Sequence, residues 1–351
     1  MFGVLKRPYK LVARTCGILL VPLLTFCSNE FDPSAEAEGI PVVYGIINPK
    51  DSIYCIKLTR SFTCSEDAVL CSMDPQNLYY QNPQIALEVL TDDGRLLDRG
   101  ELHSITIPDS DTTKGLFHSE YKTIYTINRN EITLDNWSEQ RRILILKIYI
   151  PEYSKLVLAK TTISQPFELL YPRKDPNGTR LDFFTSEGQS IIWRGPENEY
   201  FDGKYVFHYT DFLYPDSSIH QSVNFRFKGP APIRSSVAWA TFSFRLYGQS
   251  FLDSIARCFQ KIPKVENLMF RKFDSLDIEL SSATYEYYEY IQSLNHDSDV
   301  EIPKKYNIEN GYGIFAITRN FLSTGNYLNH NCLDSLVNSK KTRWIQFIIW
   351  E

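Results

Sequence analysis

Between residues 41 and 160 the sequence repeats one pattern, in which short runs of β-branched and aromatic residues are separated by turn residues. In the run Ser52–Arg60, alternate side chains from Tyr54 to Leu58 are apolar and share one face of an extended chain. The run Ile143–Ile150 begins apolar on both faces, which is typical of a central strand. We find no helical period between these runs. The pattern predicts a mainly β fold that begins with an immunoglobulin-like antiparallel β-sandwich.

The strands predicted for this sandwich are joined as hairpins by turn residues such as those at 48–51 and 91–94. They are Pro41–Ile47, Ser52–Arg60, Ile85–Leu90, Arg95–Leu97, Tyr121–Ile127, Ile143–Ile150 and Lys155–Lys160. A proline-rich and turn-rich stretch, 164–178, follows them. We therefore place a domain junction near residue 165, with the sandwich over 40–165 and a second β-rich domain over 166–351.

The second domain also contains strand patterns, but its period changes twice. These changes predict two short helices, one near 250–260 with Ser250 as its N-cap, and one near 283–294. Asn310–Gly311 predicts a turn before a late strand, with Gly311 and Gly313 free to take positive φ. The strands predicted here are Ser190–Trp193, Lys204–Phe212, Ile219–Phe227, Ser236–Leu246, Leu276–Leu280, Gly313–Thr318 and Trp344–Trp350.

The N-terminus has the order of an export signal. A basic stretch ending at Arg14 is followed by the uncharged run Cys16–Phe26. A helix that crosses a bilayer needs about 20 apolar residues, so this run is too short to span one. Positive charge followed by a short apolar core predicts a signal peptide over residues 1–26.

The signal ends at Cys27, and the segment Leu24–Cys27 resembles a bacterial lipobox, in which the cysteine sulfur carries diacylglycerol. Phe26 stands where that motif usually has Gly, Ala or Ser. The predicted lipidation site is Cys27, and the acidic residues 27–39 are interpreted as a tether. Two or three acyl chains would hold the protein to the membrane. The alternatives are a cleaved signal with a coincidental cysteine and an uncleaved anchor.

The charge of the chain limits the classes of partner. Its 351 residues contain 37 Lys and Arg against 42 Asp and Glu, a formal net charge of −5. An acidic chain offers no general attraction to a phosphate backbone, so we expect no nucleic-acid partner. Hydrophobic residues at 43% exclude wholesale disorder.

The cysteines and histidines predict no metal centre. Cys64 and Cys71 flank a six-residue segment and are the predicted disulfide in an oxidising compartment. Cys55 is expected to be a small buried apolar residue. The chain has no Cys/His cluster, and its 6 histidines are dispersed. We therefore predict no metal, no cofactor and no catalytic residues, and we interpret Asp175–Gly178 as a turn rather than a calcium loop.

Two aromatic segments are the predicted partner contacts. The loop 61–84 is long for a compact domain and ends close to Tyr79 and Tyr80, although it could equally be a flap that covers one sheet edge. In the predicted helix 283–294, Tyr287, Tyr288, Ile291 and Leu294 are expected to face inward, which leaves Tyr285 outside.

The segment Tyr306–Phe315 is the most specific motif of the chain. Four further stretches belong with it: Val42–Pro49, Tyr54–Leu58, the strand of Trp193 and Gly248–Phe251. Together they resemble an uncharacterised lipoprotein family of Bacteroidota outer membranes. The resemblance implies a protein often encoded beside TonB-dependent transporters, and it supplies no catalytic residues.

The function predicted from these observations is a non-enzymatic lipoprotein of the outer membrane, on its surface or its periplasmic face. It would assist TonB-dependent nutrient uptake by capturing a ligand or by docking on the transporter. The alternatives are an adhesin or structural surface protein, and a hydrolase whose site the sequence does not reveal.

Overall fold

A computed structural model describes the chain over residues 39–62, 71–72, 74–108, 121–134, 141–163, 165–176, 178–234, 236, 238–294 and 307–349. The protein is mainly β, with 55% strand, which confirms the fold class predicted from the sequence. Within the described ranges, no helix combines the length and the apolar character needed to cross a membrane.

The first half of the chain forms antiparallel strands at the predicted places. β1 to β7 are Pro41–Ile47, Ile53–Arg60, Gln84–Thr91, Leu96–Pro108, Tyr121–Asn128, Arg142–Ile150 and Lys155–Ile163, and the short helix α1 is Pro75–Leu78. Neighbouring strands follow the order β6-β3-β4-β5. A fourth strand that returns beside the first of three consecutive strands makes a Greek key, the connection found in most β-sandwiches. The strand order is therefore compatible with the predicted sandwich.

The second half alternates strands with helices. Its strands β8 to β17 are Glu168–Tyr171, Thr179–Leu181, Gln189–Pro196, Tyr200–Leu213, Ser217–Lys228, Trp239–Leu246, Leu268–Ala283, Ile308–Glu309, Tyr312–Leu328 and Phe347–Ile348. Its helices α2, α3 and α4 are Gly248–Gln260, Tyr285–Leu294 and His330–Asn338. Single 3-10 turns lie at Arg129–Glu131, Pro151–Tyr153 and Arg343–Ile345.

Most strands join one large mixed sheet, in the order β12-β11-β14-β16-β1-β2-β5-β4-β3-β6-β7-β15, with β17 beside β14 and β9 beside β16. A smaller sheet has the order β13-β10-β8. The long strand β16 links the two halves of the large sheet. Its first residues pair in parallel with β1, and its remainder, from Thr318, pairs with β14 in the antiparallel sense.

Two groups of buried apolar residues form the core. The first extends from Val43 to Ile163 and also includes Ile308, Phe315 and Ile317 from the end of the chain. The second extends from Phe167 to Phe347. The domain junction near residue 165 stays a prediction, and β16 contributes side chains to both buried groups.

Helix α2 confirms the periodicity found in the sequence. Its predicted apolar stripe from Phe251 to Phe259 is buried. The predicted cap is wrong, because the helix begins at Gly248 after Tyr247, which makes no side-chain cap. Ser250 lies in the first turn instead, where its carbonyl oxygen accepts a hydrogen bond from the Ser254 hydroxyl.

Three other predictions are corrected by the structure. The inward stripe predicted for α3 is wrong at Leu294, which is 61% exposed, whereas Tyr287, Tyr288 and Ile291 are half-buried and Tyr288 packs on the ring of Tyr200. Over the described residues 344–349 of the predicted closing strand Trp344–Trp350, the chain instead forms the end of the 3-10 turn Arg343–Ile345 and the two residues of β17. Cys55 is exposed rather than buried, because it lies on the side of β2 opposite the buried Tyr54.

Candidate functional site

The structure leaves the predicted anchor untested and bears on the predicted disulfide only at Cys71. Cys27 and Cys64 lie outside the described residues. Cys71 is disulfide-bonded, whereas Cys55 is a free thiol. The lipidation of Cys27 and the Cys64–Cys71 pairing therefore stay predictions.

Tyr80, one of the predicted partner contacts, is part of the first core. Its ring is only 5% exposed, its hydroxyl donates to the carbonyl oxygen of Gly39, and it packs edge to face on Tyr153. Arg60 lies over the same ring and donates to the Tyr153 hydroxyl and to carbonyl oxygens of α1. Tyr80 is therefore corrected from a contact residue to a packing residue, while Tyr79 stays partly exposed.

Tyr285, the other predicted contact, belongs to a separate ring cluster at the start of α3. Its ring is 6.1 Å from that of Tyr288, which is 5.4 Å from the ring of Tyr200. The guanidinium of Arg234 lies 5.3 Å from the Tyr285 ring centroid and is paired with Glu289 at 3.7 Å. Tyr79 and Tyr285 are thus held by different elements of the fold.

A groove that the sequence did not predict crosses the outward face of β4, β3, β6 and β7. We call it the sheet groove, and its volume is about 390 Å³. Strand pairing places its outward side chains in rows. One row runs Gln84–Tyr149–Leu156, and the next includes Glu101, Ala86, Lys147 and Leu158. The loop 61–84 ends at this groove, since Pro83 and Gln84 line it.

Charged side chains occupy the centre of the sheet groove. The Glu88 side chain is only 9% exposed, and its carboxylate pairs with the Lys147 ammonium at 2.7 Å and with the Arg99 guanidinium at 3.9 Å. Arg99 also pairs with Glu101 at 3.4 Å. A charge removed from water in this way needs such partners to be tolerated. The four side chains therefore form one linked series of alternating charge, which we call the charged row and which zigzags between two neighbouring register rows.

A second hollow of about 330 Å³ lies next to the sheet groove on the same face, lined by Ile145, Leu158, Lys160 and β15. The Asn307 side chain donates to the carbonyl oxygen of Lys160 at 2.9 Å and accepts from the Phe315 amide at 3.0 Å. Asn310 donates to the carbonyl oxygen of Leu156 at 2.9 Å. The described part of the motif, 307–315, thus joins β7 to the start of β16.

The positive φ angles of that motif differ from the prediction in one residue. Asn310 and Gly313 have φ of 62° and 112°, whereas Gly311 does not have a positive φ. Gly311 is required for another reason, because a Cβ there would lie 2.8 Å from the carbonyl oxygen of Pro41. The turn therefore depends on asparagine at its tip and on close packing against β1.

A Thr–His–Asp cluster on the second half of the sheet resembles a nucleophile with its base but has the wrong arrangement. The hydroxyl of Thr210 donates to the Asp274 carboxylate at 2.7 Å, and His220 Nδ1 lies 2.8 Å from Thr210 Oγ1. Thr210 is only 3% exposed. A nucleophile has to reach its substrate and give its proton to the base. Among the described side chains, no group of three or more His, Cys, Asp or Glu is placed to hold a metal ion.

The turn at Asp175 has the role expected from the sequence. The Gly178 amide donates to the carbonyl oxygen of Asp175 at 3.0 Å, and Gly178 takes a φ of 88°. The Asp175 amide in turn donates to the Thr179 hydroxyl at 3.1 Å. These bonds are those of a tight turn that leads into β9.

In comparisons with known proteins, the chain matches no family model and no curated protein. The candidate site therefore depends on geometry alone. Its charged row could not be found in the sequence, because Glu88, Lys147 and Arg99 are brought together only by the register of three strands. The signal present in the sequence was one charged residue, Glu88, within the otherwise apolar run 85–90 of β3.

Proposed function

We propose that this protein is a lipid-anchored, non-enzymatic protein of the outer membrane that assists TonB-dependent uptake by capturing a ligand or by docking on the transporter. The observation that carries this proposal is the sheet groove, an open face on which charged, amide and aromatic side chains converge. Ligand sites commonly combine apolar surface with a few polar groups whose positions fix the orientation of the ligand. The predicted signal and Cys27 supply the anchor, and the family resemblance supplies the link to uptake.

The arrangement of the sheet groove favours binding over turnover. Its most buried charge, Glu88, is already paired with Lys147 and Arg99, so it is held in one position. Lys147 is 43% exposed and keeps donors that face the groove. Fixed polar groups of this kind orient a ligand without losing further freedom when it binds.

The test is co-purification from detergent-solubilised outer membrane, with the wild-type chain compared with Cys27→Ala. We expect a TonB-dependent channel to co-purify with the wild type, and Cys27→Ala to lose both membrane association and incorporation of clickable palmitate. Cys55→Ala is the matched control, because it removes an exposed thiol and leaves the predicted anchor intact. Absence of a channel from the wild-type eluate contradicts the uptake role, and unlabelled wild type contradicts the anchor.

The same assay tests the predicted contact residues. If docking uses Tyr79 or Tyr285, alanine at either position reduces the recovery of the channel and leaves thermal unfolding unchanged. Tyr80→Ala is instead expected to destabilise the chain, because it removes a core ring and the hydrogen bond to Gly39. Full recovery of the channel with both Tyr79→Ala and Tyr285→Ala eliminates these rings as the docking surface.

A further inference from the structure

We infer that the sheet groove binds an uncharged oligosaccharide, an inference that rests on the proposed capture of a ligand. Tyr149 would be the platform for a sugar ring, and the row from Glu101 to Lys147 would hydrogen-bond its hydroxyls. The volume of about 390 Å³ lies within the range of about 300–1,000 Å³ that is usual for small-molecule sites.

The position of the groove on a sheet face excludes recognition through the protein backbone. β3 is paired with both β4 and β6, and β6 is paired with both β3 and β7. Their backbone donors and acceptors are therefore used within the sheet. An extended peptide binds a sheet by adding a strand to an open edge, which this face does not provide. Recognition here has to come from side chains.

The charges in the groove favour a neutral ligand. Two carboxylates, Glu88 and Glu101, stand beside two cations, Arg99 and Lys147, in one linked row. A ligand with net charge of either sign would meet like charge within this row. A hydroxyl group both donates and accepts hydrogen bonds, so it can bond to the carboxylates and to the cations. A polyhydroxylated ligand can therefore bond to the three exposed members, Lys147, Arg99 and Glu101, while Glu88 keeps its partners.

The apolar end of the groove fits the faces of a sugar ring. Tyr149 is 39% exposed and lies opposite Leu156 in the strand register. The C–H groups on the face of a sugar ring are apolar and weakly positive, and they pack on the negative face of an aromatic ring. Ala86 lies between Glu101 and Lys147, and its small side chain keeps the floor of the groove open.

The second hollow extends this surface for a ligand with more than one ring. Leu158, which lines that hollow, lies opposite Lys147 in the register of β6 and β7. The hollow also contains Lys160 and Glu309, a further cation and a further carboxylate. The balance of charge therefore continues along the face, and adjacent sugar units can occupy the two hollows in turn.

The experiment is calorimetric titration of the full chain in detergent with neutral hexasaccharides of glucose, xylose and mannose. An oligogalacturonate, a polyglutamate peptide and a polylysine peptide are the charged probes. We expect saturable binding of at least one neutral hexasaccharide, and a loss of affinity of at least about tenfold in Tyr149→Ala. Ala86→Met, which fills the floor and keeps every charge, is expected to abolish binding. Tyr327→Ala, an exposed tyrosine of β16, is the matched control and should bind as the wild type does.

Three results overturn the inference: no neutral hexasaccharide binds, binding persists unchanged in Tyr149→Ala and Ala86→Met, or only a charged probe binds. Thermal melts of each variant exclude loss of fold as the cause. Failure here is distinguishable from failure of the proposed function. If a channel co-purifies but no sugar binds, only the inferred ligand class is refuted. If a sugar binds but no channel co-purifies, only the proposed uptake partner is refuted.

Discussion

Replacement of Asp211 by asparagine is expected to destabilise the second half of the molecule more than any substitution of a surface ion pair. The Asp211 side chain is 1% exposed, and its carboxylate accepts from Arg271 Nε at 2.7 Å. Arg271 also donates through Nη1 to the carbonyl oxygen of Ile345 at 2.8 Å, and its guanidinium lies 5.2 Å from the Phe259 ring. The pair thus attaches the C-terminal 3-10 turn to β11 and β14.

The expected loss follows from the burial of the partner that remains. Asp211→Asn leaves the Arg271 guanidinium, which is 8% exposed, without its counter-charge. Removing one member of such a buried pair costs about 3–5 kcal/mol. Total stabilities are about 5–15 kcal/mol, so urea unfolding followed by tryptophan fluorescence will resolve the change. Glu289→Gln, which breaks the exposed pair with Arg234, is the control and should cost at most about 1 kcal/mol.

A double variant separates the cost of an unpaired charge from the value of the pair. Asp211→Leu combined with Arg271→Met removes both charges and fills the space with apolar side chains. We expect this variant to be more stable than Asp211→Asn, because no buried charge remains. The reasoning is refuted if Asp211→Asn costs less than about 1 kcal/mol, or if the double variant loses the sum of the two single losses.

Three further outcomes are expected. Gly313→Ala should destabilise the protein by more than about 2 kcal/mol in thermal melts, because its Cβ would collide with the carbonyl oxygen of Val43. The control Gly94→Ala is also at positive φ but in open space, so it should cost only about 1–2 kcal/mol. Burial raises the pKa of the Cys332 thiol from 9.0 to about 11, so the unfolded chain loses this proton first as the pH rises. The free energy of unfolding should fall by about 2–3 kcal/mol across that interval, and urea titrations of Cys332→Ala should lack this contribution. Asn307→Ala should cost about 1–3 kcal/mol in the same assay, because it breaks the side-chain bonds that join β7 to β16.

The elements that the sequence predicted well are those whose pattern is local. The alternation in β2 and the stripe of α2 each identify a buried face within about ten residues, and both faces are buried as expected. β6 was expected to be central and lies between β3 and β7. Periodicity identifies the face that a chain segment prefers to bury. It does not reveal how far along the element a partner covers that face, which is why Leu294, at the end of α3, was predicted to face inward but is exposed.

Long-range pairing explains what the sequence could not show. β16 pairs in parallel with β1, with Tyr312 opposite Val42, so the two segments of the first core are separated by most of the chain. The only local signal was the glycine-rich turn before β16. Its glycines permit close approach, since a Cβ at Gly311 would lie within 2.8 Å of the carbonyl oxygen of Pro41. That signal indicates that another segment of backbone approaches closely, but it does not identify the neighbouring strand.

The motif that carried the family resemblance and the groove that carries the proposed function meet along β7. Asn307 and Asn310 bond to backbone carbonyls of β7, whose outward residues Leu156 and Leu158 line the two hollows. The motif can therefore stabilise the fold and at the same time affect ligand binding. Because its side chains fix β15 against β7, their loss should widen the second hollow before it disturbs Glu88 and Lys147, which are held by β3 and β6. A motif variant that stays folded is then expected to bind hexasaccharides less tightly, with a smaller loss of affinity for single sugars. If the motif only stabilised the fold away from the ligand, the two affinities would change alike.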